Sequence, residues 1–179
     1  MKIQDSGNRR TFESGAVRDI DESKGRCDLI PLDCLAVCFS DDEVSSIFLI
    51  LDSYVRTGNL ALLIQAIKQF SDYESKHMST IMLDVSLHYK LGLEKYGERN
   101  WEKGIPLHSY IDSAVRHLLK YVRGDDDEPH DRAFVWNLMC CYWTQIHIPS
   151  MWDLPFASIS EGVENSEVTD SLLDRVVES

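Results

Sequence analysis

Four consecutive acids followed by a proline and a histidine, Asp125-Asp126-Asp127-Glu128-Pro129-His130, form a dense group of ligand-type side chains in this 179-residue chain. Adjacent carboxylates repel unless solvent or a divalent cation relieves them, and carboxylate oxygens are the donors that Mg²⁺ prefers. Pro129 suits the start of a helix, where a helix dipole also stabilises acids that do no chemistry. The run therefore reads either as a metal site built on Asp127, Glu128 and His130 or as a solvated loop. Asn137 lies seven residues after His130, on the same face of the helix that follows.

His117 falls beside Tyr110, Ala114 and Tyr121, at the edge of the apolar face of its own helix. Burial there favours the neutral imidazole, which can bind a metal, although a satisfied core histidine has the same pattern. Asp84, His88, Leu91 and Lys95 fall on one stripe at spacings of four, three and four, able to hold a metal or phosphate or simply to face water. His130-Asp131 also fits a second ligand set, a metal phosphohydrolase type with His88 or His117 and Asp153. Cys34, Cys38 and the vicinal Cys140-Cys141 have the number of thiolates for a zinc site, but their apolar helical context favours packing.

The net charge of −12 opposes binding to long DNA or RNA, whose backbone calls for a basic face. The charge is uneven. From Lys90 to Arg123, seven bases meet four acids for a net +3, which suits a small, multiply charged anion. No apolar run approaches the ~20 residues of a membrane span, and the polar start lacks the apolar stretch of a signal peptide. A cytoplasmic location with reduced cysteines is the expectation.

Several elements must position these groups. Apolar residues recur with helical period through Val44–Val55, Leu63–Phe70, about Ser79–Tyr96, about His108–Arg123 and from Pro129 to His147, and no segment alternates long enough to demand a strand. The expected fold is all-α, a bundle of about five helices. Residues 1–26 read from composition as a mobile arm, 27–153 as the helical domain, and 154–179 as an acidic disordered tail with a short amphipathic stretch through Val168, Leu172, Leu173 and Val176. Residues 99–106, RNWEKGIP, read as a connecting loop.

SGAVRD (14–19), KGRCDLIP (24–31), KYGERNWEKGIP (95–106) and DSAVRHLLKYVRGDDDEPHDRAFVWNLMC (112–140) resemble, in the same order, the phage-type dATP/dGTP diphosphohydrolases (MazZ-like). The resemblance covers about residues 14–32 and 88–145, matches poorly from Cys34 to Ser79, and is most specific in its KYG-x-RNW-x-KG core. It implies cleavage of a purine deoxynucleoside triphosphate to monophosphate and pyrophosphate with Mg²⁺ or Mn²⁺. Arg18, Lys24 and Arg26 fall on motif positions, so it also implies that the arm folds over the site. MazG-type helical pyrophosphatases, to which the family is distantly similar, use glutamate pairs at helical spacing. Glu94 and Glu98 are the nearest acidic pair here, and they straddle a helix end.

Under that resemblance Asp127, Glu128, His130 and His117 take the metal and the water, with one carboxylate as general base. Lys95, Arg99, Lys103 and Arg116, with Lys24 and Arg26, hold the phosphates. Trp101 offers a flat face to the base, and Asn100 or Asn137 a hydrogen bond to its edge. Related helical pyrophosphatases associate, so a homo-oligomer is expected. Two other classes keep part of the pattern: a nucleotide-binding protein that sequesters without cleaving, and a purely structural helical protein.

Overall fold

In the computed structural model, which describes residues 7–19 and 24–155, a hairpin of two strands (β1, Arg9–Thr11; β2, Val17–Asp19) precedes the helices α1 (Leu32–Ala36), α2 (Asp42–Thr57), α3 (Leu60–Tyr73), α4 (Met78–Tyr96), α5 (Leu107–Arg123) and α6 (His130–His147). The fold is all-α apart from that hairpin, which sequence alternation does not reveal. Its antiparallel strands pair Arg9 with Asp19 and Thr11 with Val17. Residues 9–19 are thus structured where composition reads a mobile arm. The expectation for the tail beyond residue 155, including the stretch through Val168 and Val176, lies outside the described residues.

Local signals set the helix ends. The Asp41 carboxylate accepts from the backbone N–H groups of Glu43 and Val44 at 3.0 and 3.1 Å and so starts α2. Gly58, at φ 68°, closes it in a left-handed conformation that a glycine adopts without strain. Asn59 then caps α3 through Ala61 N–H. Gly124 closes α5 in the same way as Gly58 closes α2.

The core follows from which faces are apolar. On α5, Ile111, Ala114, Val115 and Leu118 are buried. α6 is buried nearly all round, with Ala133, Phe134, Val135, Leu138, Cys140 and Cys141 facing α3, α4 and α5 in turn. Phe70 of α3 joins these layers, 4.9 Å from Phe134 and 5.5 Å from Tyr121 by ring centroid. The stretch read as a loop holds a 3-10 turn, Asn100–Lys103, that carries Trp101 toward α4 and α6. No helix among the described residues is long and apolar enough to cross a membrane.

Candidate active site

Two adjoining clefts open where the hairpin meets α4, α5 and α6. One, of about 160 Å³, is aromatic, lined by Tyr89 and Tyr96 of α4, Trp101 of the 3-10 turn and Trp136 of α6, with His88 and Gly92 between them. The other, of about 230 Å³, is basic, lined by Arg10, Lys24, Arg26, Arg116 and Lys120. Arg18, Asp19, Lys24, Ser113, His117 and Glu128 border both. The helical repeat explains the aromatic wall: His88, Tyr89, Gly92 and Tyr96 fall on one stripe of α4, and Gly92 leaves the space between them open.

The shared border holds a tight cluster. Asp127 Oδ1 accepts from His130 Nε2 at 2.8 Å, and Lys120 Nζ donates to the other oxygen at 2.8 Å. With its hydrogen on Nε2, His130 is left with a lone pair on Nδ1. His117 Nδ1 lies 2.9 Å from that lone pair and therefore donates to it. Glu128 Oε1 stands 3.7 Å from His117 Nδ1 and 3.8 Å from His130 Nδ1. Burial, with His130 next to it, moves the His117 pKa well below its ordinary value. The hydrogen bond from Lys120, aided by His130, holds Asp127 at about 2, so it is ionised and poorly basic at neutral pH.

His117, Glu128 and His130 bring three ligand-type atoms within 4.8 Å of one another, as do Asp125, Asp127 and His130. The first group borders both clefts through His117 and Glu128, while Asp127 is engaged on the far nitrogen of His130. Two imidazole nitrogens and one carboxylate oxygen fit Mn²⁺ or a related transition-metal ion. They fit Mg²⁺, which prefers oxygen throughout, less well.

Other expected site residues are distributed unevenly. Lys24, Arg26 and Arg116 line the basic cleft, where Arg26 pairs with Asp28 and Arg116 with Asp112 at 2.7 Å. Trp101 lines the aromatic cleft, packed edge-on against Tyr89 and Trp143. Arg99 reaches the rim of that cleft and pairs with Glu102. Lys103 is exposed and lines neither cleft, and Lys95 is held by Asp19 of β2.

Both asparagines grip the hairpin. Asn100 Oδ1 accepts from Val17 N–H at 2.9 Å while its amide donates to Val17 C=O at 2.8 Å, so it extends β2 as another strand would. Asn137 Oδ1 accepts from Arg18 at 2.5 Å. Arg18 also donates to Ser109 C=O at 2.7 Å and lies over the Tyr110 ring. Burial works against its charge and lowers its pKa.

The competing sets are not assembled among the described residues. Asp153 pairs with His108, Asp131 faces Lys76 at 3.5 Å, and Asp84 lies in a separate small pocket with Glu74. Cys34 and Cys38 are exposed whereas Cys140 and Cys141 are buried, so no four-thiolate site forms. Glu94 and Glu98 are exposed. Conversely, sequence spacing did not single out Tyr89, Tyr96 and Trp136 as cleft residues, because an aromatic at helical spacing is usually core.

Residues 65–153 match the family model described as dATP/dGTP diphosphohydrolase, N-terminal. The chain belongs to this dATP/dGTP diphosphohydrolase family. The match takes in both walls of the aromatic cleft contributed by α4 and α6, the 3-10 turn and the whole His117, Glu128, His130 cluster. It also includes residues 65–79, which resemblance by motif had left out, and it does not include the hairpin that carries Arg18. No curated protein and no solved structure matches the chain.

Proposed function

We propose that the chain hydrolyses purine deoxynucleoside triphosphates to the monophosphate and pyrophosphate, with a divalent ion held by His117, Glu128 and His130. The observation that carries this reading is the pairing of an aromatic cleft with a basic one across that cluster, the order in which a base, the α-phosphorus and a polyphosphate tail would lie. Tyr96 and Trp101 provide faces for the base. Arg116, Arg26 and Lys24 provide charge for the phosphates, the two arginines exchanging their present carboxylate partners for phosphoryl oxygens.

In this scheme water attacks the α-phosphorus and the bond from that phosphorus to the oxygen bridging it to the β-phosphorus breaks, releasing pyrophosphate. When bound, the ion supplies charge neutralisation and polarises the water. Glu128, which borders both clefts, takes the water's proton. Asp127 orients His130, and Lys120 keeps Asp127 ionised for that task. Arg18 stands between the two clefts, where its charge faces the scissile region.

The acidic remainder of the chain keeps long nucleic acid away. Self-association is the natural use of Leu83 and Leu87, apolar residues that α4 leaves 70% and 48% exposed. Sedimentation of wild type against Leu83→Asp reads this out.

The test is incubation with dATP, dGTP, their ribose counterparts and dCTP, with Mg²⁺, with Mn²⁺ and without metal, followed by separation of the phosphorus-containing products. Metal-dependent monophosphate plus pyrophosphate is expected, with Mn²⁺ the better cofactor. Release of single phosphate or of tripolyphosphate would overturn the assigned bond cleavage. Tight binding without turnover would favour a sequestering protein.

A further inference from the structure

His88 Nδ1 has no hydrogen-bond partner among the described residues, although the side chain is buried with 8% of its surface exposed. The same holds for the indole N–H of Trp136, whose ring lies 5.3 Å from the imidazole by centroid. Both side chains line the aromatic cleft. Buried polar atoms are normally satisfied by protein, water or ligand. Two such atoms, side by side in the wall of one cavity, mark the place where a polar edge binds. Neither atom is open to solvent as the rings stand, so a turn of each ring is what presents it to an occupant.

We propose that Trp136 and His88 read the Hoogsteen edge of a purine, and that His88 accommodates adenine and guanine alike by exchanging its tautomer. This deepens the nucleotide reading above and rests on it. The indole N–H can only donate, and N7 is an acceptor in both purines. The six-position differs, because adenine offers a donating amino group there and guanine an accepting carbonyl.

Only an atom able to play either part satisfies both bases. Nδ1 of a neutral imidazole is an acceptor in one tautomer and a donor in the other. Burial, with Arg132 and Arg18 nearby, lowers the His88 pKa to about 4, which keeps the neutral form at physiological pH. The reverse assignment fails: an indole N–H opposite the adenine amino group would set two donors against each other. A pyrimidine has no N7 and would leave the indole N–H unpaired.

The experiment is equilibrium dialysis of the full chain against dATP, dGTP, their 7-deaza analogues and dCTP in Ca²⁺, with each nucleotide recovered and checked intact. Wild type should bind the 7-deaza forms about tenfold more weakly than the natural purines, the loss of one hydrogen bond of about 1.4 kcal/mol. Trp136→Phe should bind the natural purines about tenfold more weakly and show no further loss with the 7-deaza forms. His88→Leu should weaken dATP and dGTP to a similar extent.

Equal affinity of wild type for natural and 7-deaza purines would overturn the edge subsite and leave the nucleotide reading standing. Failure to bind any of the nucleotides would overturn both. The comparison of analogues uses the unmodified protein, so it decides the matter even if a variant folds poorly.

Discussion

His117 and His130 meet Nδ1 to Nδ1 at 2.9 Å, and a single hydrogen lies between them. Two bare lone pairs at that distance would repel, so whatever occupies the gap must be a proton or a cation. Entry of a divalent ion therefore moves the hydrogen to the far nitrogen of His117, which stays a neutral imidazole. Binding of Mn²⁺ at neutral pH should thus release almost no proton from this pair, whereas a charged imidazole would release one. Calorimetry in buffers of different ionisation enthalpy measures this. His130→Ala and His117→Ala should each abolish the Mn²⁺ signal and lower turnover by at least ~100-fold, with dGTP binding retained. Undiminished turnover in both variants would remove the ion from these residues.

Asp127→Asn keeps the shape of the side chain behind His130 and removes its charge. Metal affinity should fall roughly 10- to 100-fold, the usual cost of losing a carboxylate that orients a ligating imidazole. KM for nucleotide should change little, since Asp127 acts through His130. A direct Mn²⁺ titration gives the first quantity and initial rates the second. An unchanged Mn²⁺ affinity would show that Asp127 has no part in positioning His130.

Stability should decline in mild acid. His88 has a pKa of about 4 in the folded protein against an ordinary value of 6.5, so it takes up a proton on unfolding anywhere between those values. The full contribution is present above about pH 6.5 and is lost as pH falls toward 4, up to roughly 3 kcal/mol from this one group. His117, also lowered by burial, acts in the same direction. Asp127 adds a loss further down, as pH falls from the ordinary carboxylate range toward 2. Urea midpoints at pH 7 and pH 4.5 check the slope, and His88→Leu should flatten it.

Gly92 offers a separation of stability from binding. A Cβ at this helical position meets nothing within 4 Å, and the residue lines the aromatic cleft. Gly92→Ala should raise stability by about 0.5–1 kcal/mol through helix propensity alone. Gly92→Leu should stay folded and lose nucleotide affinity by filling the space a base would take. Thermal melting and dialysis against dGTP report the two effects, and full affinity in Gly92→Leu would mean the base lies elsewhere.

Asn100→Ala removes both hydrogen bonds to Val17 and leaves the outer edge of β2 at that residue without its partner, in half-buried surroundings. Destabilisation of about 1–3 kcal/mol is expected, together with weaker nucleotide binding because Arg18 and Asp19 follow directly on Val17 in β2. Asn100→Asp should preserve the acceptor and lose the donor, giving an intermediate effect. A melting temperature equal to wild type in Asn100→Ala would show that the hairpin is seated by its other contacts.

The helices were legible because their apolar residues keep a 3.6-residue period and because Asp41, Gly58, Asn59 and Gly124 mark their ends. The neighbourhood of His117 was legible for a related reason: a histidine at the rim of an apolar stripe sits where one helix meets another. The hairpin was not, since strands of three residues carry no readable alternation. It is held by Asn100 and Asn137, 83 and 119 residues away from their partners in the chain. Lys103 shows the opposite failure. It lies in a specific motif beside Trp101, but it ends at the surface, because a 3-10 turn points neighbouring side chains in different directions. Gly104, which follows it, has φ 99°, and a Cβ at that position would crowd Met151 and Ile148 at 3.2 and 3.3 Å.

The grip of Asn137 on Arg18 also orders events in time. During synthesis the hairpin leaves the ribosome before the helix that holds it, which follows more than a hundred residues later. The helical layers can associate through near neighbours as they emerge, whereas the cleft waits for a loop of more than a hundred residues to close, which is the slow kind of contact. On the proposed function, a nascent chain lacks His130 and Trp136 until α6 is released, so a product stalled before α6 should not turn over nucleotide.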